Sequence, residues 1–466
     1  APRPPDVKGT AMRLHRCRPL LALVALAFSA SLTAGQSVEP ASAMHWRHIG
    51  PIRAGRARAV AGVASQPNVA YIGFDNGGIW RSTDYGSNWT PLFDRESTGS
   101  IGANALDVIS KLPNHLRVWG LSANTNWRVL AAQAHLFKPE YISLADAVSN
   151  QKIARELPEM ASRILPPSEF ARLAAQEADT ILVAVVGAGG LEPSLAAVRA
   201  GKRLALANKE SLVMAGSLIM TEAERTGAKV LPVDSEHSAL FQAVHSGKPS
   251  EVRKIILTAS GGPFLDREGN FDEITVAEAL SHPTWSMGRK ITVDSATMVN
   301  KAFEVIEARW LFDSLPDSIS VLIHPESIIH SLVEFADGSV LAQMSLPDMR
   351  LPIQYALTYP DRLPSSVPTL DLADVATLTF RRPDLKRFPC LAIGFEAARE
   401  GGTLGAVFNA ANEVAVAAFL DGLLKFSDIY TVIRTVVDKH INAPATDINA
   451  ILDADRWARQ EAAQCL

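Results

Sequence analysis

The sequence predicts an α/β fold in three parts, namely a doubly wound parallel sheet, a second α/β region and a helical C-terminal region. A short β-rich N-terminal fragment precedes them. Three observations carry this prediction. Strand-like and helix-like patterns alternate from Ser97 onward. The apolar run Ile181 to Val186 suits a strand buried on both faces, and it leads into Gly187-Ala188-Gly189-Gly190 and a helical pattern through Leu195 and Val198. Near the C-terminus the spacing Val414, Ala417, Ala418 suits a helix packed against the remainder.

Composition agrees with a large globular chain. At roughly 150 residues per domain, 466 residues allow about three domains. Lys plus Arg is 45 and Asp plus Glu is 49, so the net charge is −4, which argues against a nucleic-acid binder driven by bulk charge. With 47% hydrophobic and 20% charged residues, the chain is neither a disordered tail nor a collagen-like fibre. Cys17, Cys390 and Cys465 are too scattered for a disulfide framework or a Cys-rich zinc site.

Residues 1–37 read as a leader. Arg13, Arg16 and Arg18 precede the apolar run Leu20 to Phe28, and Leu32-Thr33-Ala34 resembles a cleavage tripeptide. The run is too short to span a membrane. A secretory signal peptide is the first reading. The lack of Asp and Glu between Val7 and Val38 keeps an organellar transit peptide open, as well as an apolar leader without meaning. Residues 38–96 have β texture, with the run Val69-Ala70-Tyr71-Ile72, the turn Asn76-Gly77-Gly78 and the pair Ile79-Trp80. Ser82 to Trp89 fits an Asp-box turn, S-x-D-x-G-x-x-W, in which an Asp side chain bonds its own backbone and Gly takes positive φ. The segment resembles one blade of a sortilin-like or BNR-type β-propeller. One blade cannot close a propeller.

Residues 97–230 are expected to form the doubly wound part. Ser97-Thr98-Gly99-Ser100-Ile101-Gly102 opens a helix through Ala105 and Ile109, and Arg117 to Leu121 reads as the next strand. Gly187 to Gly190 and the strand Arg203 to Ala207 continue the βαβ grammar, which fits a nucleotide-binding domain. A Gly-rich turn opening a helix can present backbone N–H groups to a pyrophosphate, although a plain tight turn has the same composition. The second strand ends at Asn124-Thr125-Asn126 without a carboxylate, which favours NADP over NAD.

Residues 231–360 carry the chemistry. Val230 to Val233 reads as a strand ending at Asp234-Ser235-Glu236-His237, so Asp234 and Glu236 are expected on one face of an extended segment. Asp294 to Lys301 enters a helix on which Asn300 and Glu304 are four apart. Asp234, Glu236 and Glu304 could make an all-oxygen site for a hard cation such as Mg2+ or Mn2+. Ser235, Ser260, Ser295, Asn300 and Lys301 offer the hydroxyls, amide and ammonium that a phosphate monoester needs, although each serine alone also suits capping. His282 to Gly288, with Trp285 and Met287, reads as a lid or a packed loop. Residues 361–382 are a linker, and residues 383–466 a helical domain with helices at 404–420 and 425–439.

These motifs together resemble 1-deoxy-D-xylulose 5-phosphate reductoisomerase. The carriers are Ala207 to Ser211, Pro232 to Ser238, His282 to Lys301, Ile323 to Ser331, Leu346 to Arg350 and Phe408 to Glu413, in that family's order. The resemblance runs from about Ser97 to the C-terminus. It implies a doubly wound NADP-binding domain, an α/β catalytic domain and a C-terminal helical domain in a homodimeric, cytoplasmic enzyme. It implies isomerisation and NADPH-dependent reduction of 1-deoxy-D-xylulose 5-phosphate to 2-C-methyl-D-erythritol 4-phosphate, with Mg2+, Mn2+ or Co2+. No nucleic-acid or membrane partner is expected.

Carried over by motif, Asp234, Glu236 and Glu304 hold the metal, and Lys209 contacts a substrate oxygen. Ser235, His282 and, more peripherally, His330 contact the substrate. Ser260, Ser295, Asn300 and Lys301 hold its phosphate. Thr98, Gly99, Ser100 and Ile101 take the cofactor pyrophosphate, Asn124, Thr125 and Asn126 lie near the adenosine ribose, and Asn208, Lys209, Glu210, Met287 and Gly288 lie toward the nicotinamide. The chain departs from the family at the join. The family begins with an apolar strand feeding Gly-Ser-Thr-Gly-Ser-Ile-Gly. Here Glu96 stands for the first glycine, after Trp89 to Arg95. A fusion at this string is expected, with weakened NADPH binding. An inactive enzyme and a secreted propeller-type binding fragment are the competing readings.

Overall fold

A computed structural model describes residues 100–466 except 286, together with the backbone of four strands between Ala57 and Pro91. The leader, the Asp-box turn, Glu96, Thr98 and Gly99 lie outside the described residues, and of Ser100 only the helical backbone is described. The four strands are β1 (Ala57–Val63), β2 (Gln66–Phe74), β3 (Gly78–Ser82) and β4 (Thr90–Pro91), an antiparallel meander in the order β1-β2-β3-β4. The expected strands at Val69 to Ile72 and Ile79-Trp80 are β2 and β3.

The chain then alternates: α1 (Ser100–Lys111), β5 (Gly120–Ala123), α2 (Trp127–Phe137), β6 (Tyr141–Leu144), α3 (Ala147–Glu156), β7 (Ile164–Leu165), α4 (Pro167–Glu177) and β8 (Thr180–Val183). It continues through α5 (Leu191–Arg199), β9 (Arg203–Leu206), α6 (Lys209–Thr226) and β10 (Lys229–Pro232). These strands are all parallel, but they form two sheets, β5-β6-β7 and β10-β9-β8. In a doubly wound fold the first strand lies at the centre of one continuous sheet, between the second and fourth. Here β5 and β8 hold those flanking places, and among the described residues each has an unpaired edge. Pro91 is paired elsewhere, with Trp80 of β3.

The next part holds α7 (Ser235–Val244), β11 (Val252–Ala259), α8 (Val276–Ala279), α9 (Arg289–Ala296), α10 (Val299–Leu311), β12 (Ile319–Ile323), β13 (Ile329–Phe335) and β14 (Val340–Met344). Its sheet is continuous in the order β12-β11-β13-β14, with β11 parallel to β12 and the other pairs antiparallel. Helices α11 (Arg350–Thr358), α12 (Leu372–Val375), α13 (Cys390–Glu400), α14 (Leu404–Leu420), α15 (Asp428–Lys439) and α16 (Ile448–Ala463) follow. One large core joins β11–β13 to α10 and α13–α15, and the Phe303 and Phe408 rings meet edge-on within it at 5.0 Å. Helix α10 is therefore held rigidly, with Ala302, Phe303, Val305 and Ile306 buried. Among the described residues no helix is long and apolar enough to cross a membrane.

Several local expectations need correction. Asp234 to His237 is not extended: α7 begins at Ser235 and Asp234 is its N-cap residue. The helix expected across Asp294 to Lys301 breaks at Thr297-Met298, where Met298 takes φ 63° and redirects the chain into α10. The strand expected at Arg117 to Leu121 is shifted to Gly120–Ala123, and β8 stops at Val183, so Ala184 to Val186 lie beyond the sheet. Ala417 is exposed; α14 buries Ala411, Ala415, Ala418 and Phe419 instead. The last helix expected at Lys425 starts at Asp428.

Candidate active site

Three strand or helix ends bring the acidic residues together. Asp234 follows β10, Glu236 lies in the first turn of α7, and Glu304 lies one turn into α10. Lys209, the first residue of α6, places its ammonium 2.8 Å from Asp234 Oδ2 and 3.7 Å from Glu304 Oε1, and donates to Asn300 Oδ1. Lys301 donates to Glu236 Oε1 at 3.1 Å and to Glu304 Oε2. Asn300 Nδ2 donates to Glu304 Oε1 at 2.7 Å, the four-residue helical pair expected from the spacing.

The cluster is nearly dry and excessively acidic. Glu304 is fully buried, and burial, then the Glu236 carboxylate, push its pKa up to about 8. Burial works against the Lys209 ammonium, yet Asp234, Glu304 and Glu307 hold its pKa well above the ordinary lysine value. Burial likewise opposes the Asp234 carboxylate, but Lys209 holds its pKa far below the usual range. Two residues escaped the sequence reading. His237 Nε2 donates to the Glu304 backbone carbonyl at 3.0 Å, while its Nδ1 lies 3.9 Å from Glu307 Oε2; neither of those last two buried atoms has another partner. Asp234, His237 and Glu304 offer ligand atoms within 4.8 Å of one another, and His237 was not among the expected ligands. Glu236 remains attached through Lys301. Four carboxylic side chains, Asp234, Glu236, Glu304 and Glu307, face two ammoniums. An oxygen-rich, charge-deficient site of this kind fits a hard divalent cation.

Of the residues expected at a phosphate, Asn300 and Lys301 lie within the carboxylate cluster itself, whereas Ser260 meets a histidine. Ser260 follows β11, and its Oγ meets His282 Nε2 at 3.0 Å. His282 Nδ1 accepts from the N–H groups of Thr284 and Trp285, so the ring proton sits on Nε2 and points at Ser260. Burial lowers the His282 pKa to about 4, which keeps the ring neutral. Gly262 takes φ +67° beside α9, and a Cβ there would stand 2.8 Å from Ser295 O. Ser235 Oγ donates to Glu236 Oε2 at 2.6 Å. His330 bonds Ser345 at 2.9 Å and lies 6.5 Å, ring to ring, from Trp285. Thr292 Oγ1 ties the start of α9 to the carbonyls of Gly288 and Met287.

The cofactor-side residues divide. Asn126 caps α2 through Val129 N at 3.2 Å, while its buried Nδ2 has no hydrogen-bond partner. Asn124 and Thr125 present backbone carbonyls to Asp146 N and Ser149 Oγ. Val185 and Val186, 46% and 66% exposed just past β8, are apolar surface at the carboxyl end of a parallel strand, where α/β sheets bind ligands. Asn208, in contrast, is consumed internally: its amide donates to Val185 O, Gly187 O and Glu210 Oε2. The glycines of this turn also have a packing reason, because a Cβ at Gly190 would stand 2.3 Å from Asn208 and one at Gly187 2.8 Å from Glu413. Ile101 packs on the cluster around Val233 and Ile353. The described part of the cradle thus fits a dinucleotide in composition.

Three family profiles match the chain: 1-deoxy-D-xylulose 5-phosphate reductoisomerase over residues 96–216, the reductoisomerase C-terminal domain over 230–312, and the DXP reductoisomerase C-terminal domain over 344–461. The reductoisomerase of Pelotomaculum thermopropionicum is 52% identical over 370 residues, 78% of this chain and 95% of its own length. The chain belongs to the 1-deoxy-D-xylulose 5-phosphate reductoisomerase family. The Heliobacterium modesticaldum reductoisomerase is 50% identical, covering 79% of this chain and 95% of its own. Among solved structures, the Zymomonas mobilis reductoisomerase in complex with NADPH is similar at TM-score 0.74 and 39% identity, over 79% of this chain and 97% of that one. A reductoisomerase in complex with NADPH, fosmidomycin and magnesium is similar at TM-score 0.74 and 40% identity, over 79% and 96%.

Proposed function

We propose that the chain performs the reaction of its family, the NADPH- and divalent-cation-dependent isomerisation and reduction of 1-deoxy-D-xylulose 5-phosphate to 2-C-methyl-D-erythritol 4-phosphate. The observation that carries this reading is the convergence of Asp234 and Glu304 on the Lys209 ammonium, with Glu236 one Lys301 contact away. Asp234, Glu236 and Glu304 would hold Mg2+ or Mn2+, with His237 behind them. A bound cation supplies Lewis-acid polarisation of a ketone, and NADPH supplies hydride. Lys209 orients a substrate oxygen between these two partners, and Ser235 adds a hydroxyl donor. Lys301, held by Glu236 and Glu304 without a cation, becomes available to a phosphate alongside Asn300, Ser260 and Ser295. The neutral His282 donates through Nε2, and Trp285 with Met287 excludes water. The test is NADPH oxidation dependent on both the deoxyxylulose phosphate and Mg2+; no turnover with either omission but turnover with both is expected.

The same reading extends to the regions around the site. Residues 97–230, 231–360 and 383–466 would serve as cofactor, catalytic and helical domains. Consumption of NADPH points to a cytoplasmic reaction, against the secretory reading of the leader. A homodimer is supported by β14, an edge strand exposing Val340 and Leu341. Light scattering on Leu341→Lys should report a shift toward monomer. The N-terminal meander has the four antiparallel strands of a single propeller blade, which supports a fusion at Glu96 to Gly102. Glu96, standing where the family has its first glycine, supports weakened NADPH binding.

A further inference from the structure

Lys290 lies in no role assigned so far, yet it joins three parts of the fold. Its Nζ donates to Glu210 Oε1 at 2.9 Å on α6 and to Asp294 Oδ2 at 2.8 Å on its own helix, and it lies 5.1 Å from the Phe303 ring centre. Beyond Glu210 the contacts run through Asn208 Nδ2 to the carbonyls of Val185 and Gly187. Beyond Asp294 they run to Asn412 Nδ2 on α14, at 2.9 Å. Asn208, Glu210, Asp294 and Asn412 are all buried.

We propose that Lys290 is a positioning residue, a clasp that fixes Glu210 and the Val185–Gly187 turn against α9 and, through Asp294, against α14. This rests on the enzymatic reading, since that turn faces the cofactor and Lys209 faces the cation. Lys209 and Glu210 are adjacent and oppositely charged, but they face different partners. Lys209 bonds Asp234 and Asn300, and Glu210 bonds Lys290 and Asn208. Without Lys290, the next cation for the buried Glu210 carboxylate is Lys209 itself. The clasp thus keeps Lys209 free to serve the carboxylate cluster. Buried ion pairs are weak stabilisers compared with apolar residues of similar volume, so stability alone does not account for a lysine there.

Hydrogen exchange on the ligand-free full chain tests this without any catalytic step, so its failure is distinct from a failed activity assay. In Lys290→Met, amides at 185–190 and 208–212 should exchange about tenfold faster or more, while α15 is unchanged. Lys290→Arg, which keeps the charge, should recover much of the protection. Mn2+ affinity should not weaken, since no cation-holding residue is lost. Should Lys290→Met not fold, the double replacement Lys290→Met with Glu210→Gln removes both charges, and it should fold and still show the local acceleration. Unchanged exchange at both segments, or an acceleration spread evenly through α15, would overturn the proposal.

Discussion

Among the described residues, the strands of residues 252–344 form one sheet, whereas the parallel strands of residues 120–232 form two. On the catalytic side, β12-β11-β13-β14 is one hydrogen-bonded sheet, and α10 lies in the largest core of the molecule. In residues 120–232, among the described residues, the parallel strands end at β5 and β8, the two strands expected to flank the first one. The sequence explains the difference. Every residue of the cation and phosphate cluster comes from 209–304, deep inside the family match, whereas the first strand falls where the chain departs from that family.

The largest effect expected is at the acidic cluster. Glu304→Gln would remove a carboxylate from the proposed cation site, so metal-dependent turnover and Mn2+ affinity should fall more than the roughly 10–100-fold typical of outer-shell partners, with circular dichroism unchanged. Retained Mn2+ affinity would remove Glu304 from the cation site and level the contrast between the two halves.

A second expectation concerns pH. Glu304 has a folded pKa raised to about 8, so its neutral form favours folding at low pH, and that contribution is lost as pH rises toward and through about 8. Buried His282, His237 and His330 have depressed pKa values, so they cost stability only below their ordinary range. Between about pH 6.5 and 8 the melting temperature of the cation-free chain should therefore fall, levelling off above about 8, and protection by Mg2+ should grow over the same range, because the cation needs the ionised carboxylate. A flat profile with constant protection would contradict the acidic excess.

The smallest effect is local. Gly262→Ala strains a positive φ and presses on Ser295 O, so about 1–2 kcal/mol of stability should be lost, read from the denaturant midpoint. The substrate KM should rise while Mn2+ affinity holds, since only the turn beside Ser260 moves.

Legibility in the sequence followed locality. The C-terminal helices were visible because amphipathic spacing is a property of one segment; α14 begins and ends where expected. The Asn300–Glu304 pair was readable for the same reason. Helix α7 was missed because Asp234-Ser235-Glu236-His237 has no apolar spacing, although Asp at an N-cap with an acid in the first turn was an available signal. Val185 and Val186 were taken into the strand because an apolar run does not reveal where its sheet ends. His237, Glu307 and Lys290 had no local signal, since their partners lie far away in sequence. The damaged start of the cofactor region, read from Glu96 and Pro91, falls on residues of which only Pro91 is described, paired with Trp80 of β3.

The most direct test is a fluorescence titration of NADPH into this chain and into a version with an apolar first strand restored and Glu96→Gly. The altered first strand and the Glu96 side chain and carboxylate, where the family has a glycine, are together expected to cost roughly 1.4–4 kcal/mol, so restoration should tighten NADPH binding by about 10- to 1,000-fold. Mn2+ affinity should be the same in both. Equal, micromolar NADPH affinity for the two chains would show that the cofactor half works as it stands, and the contrast drawn between the two sheets would have no functional meaning.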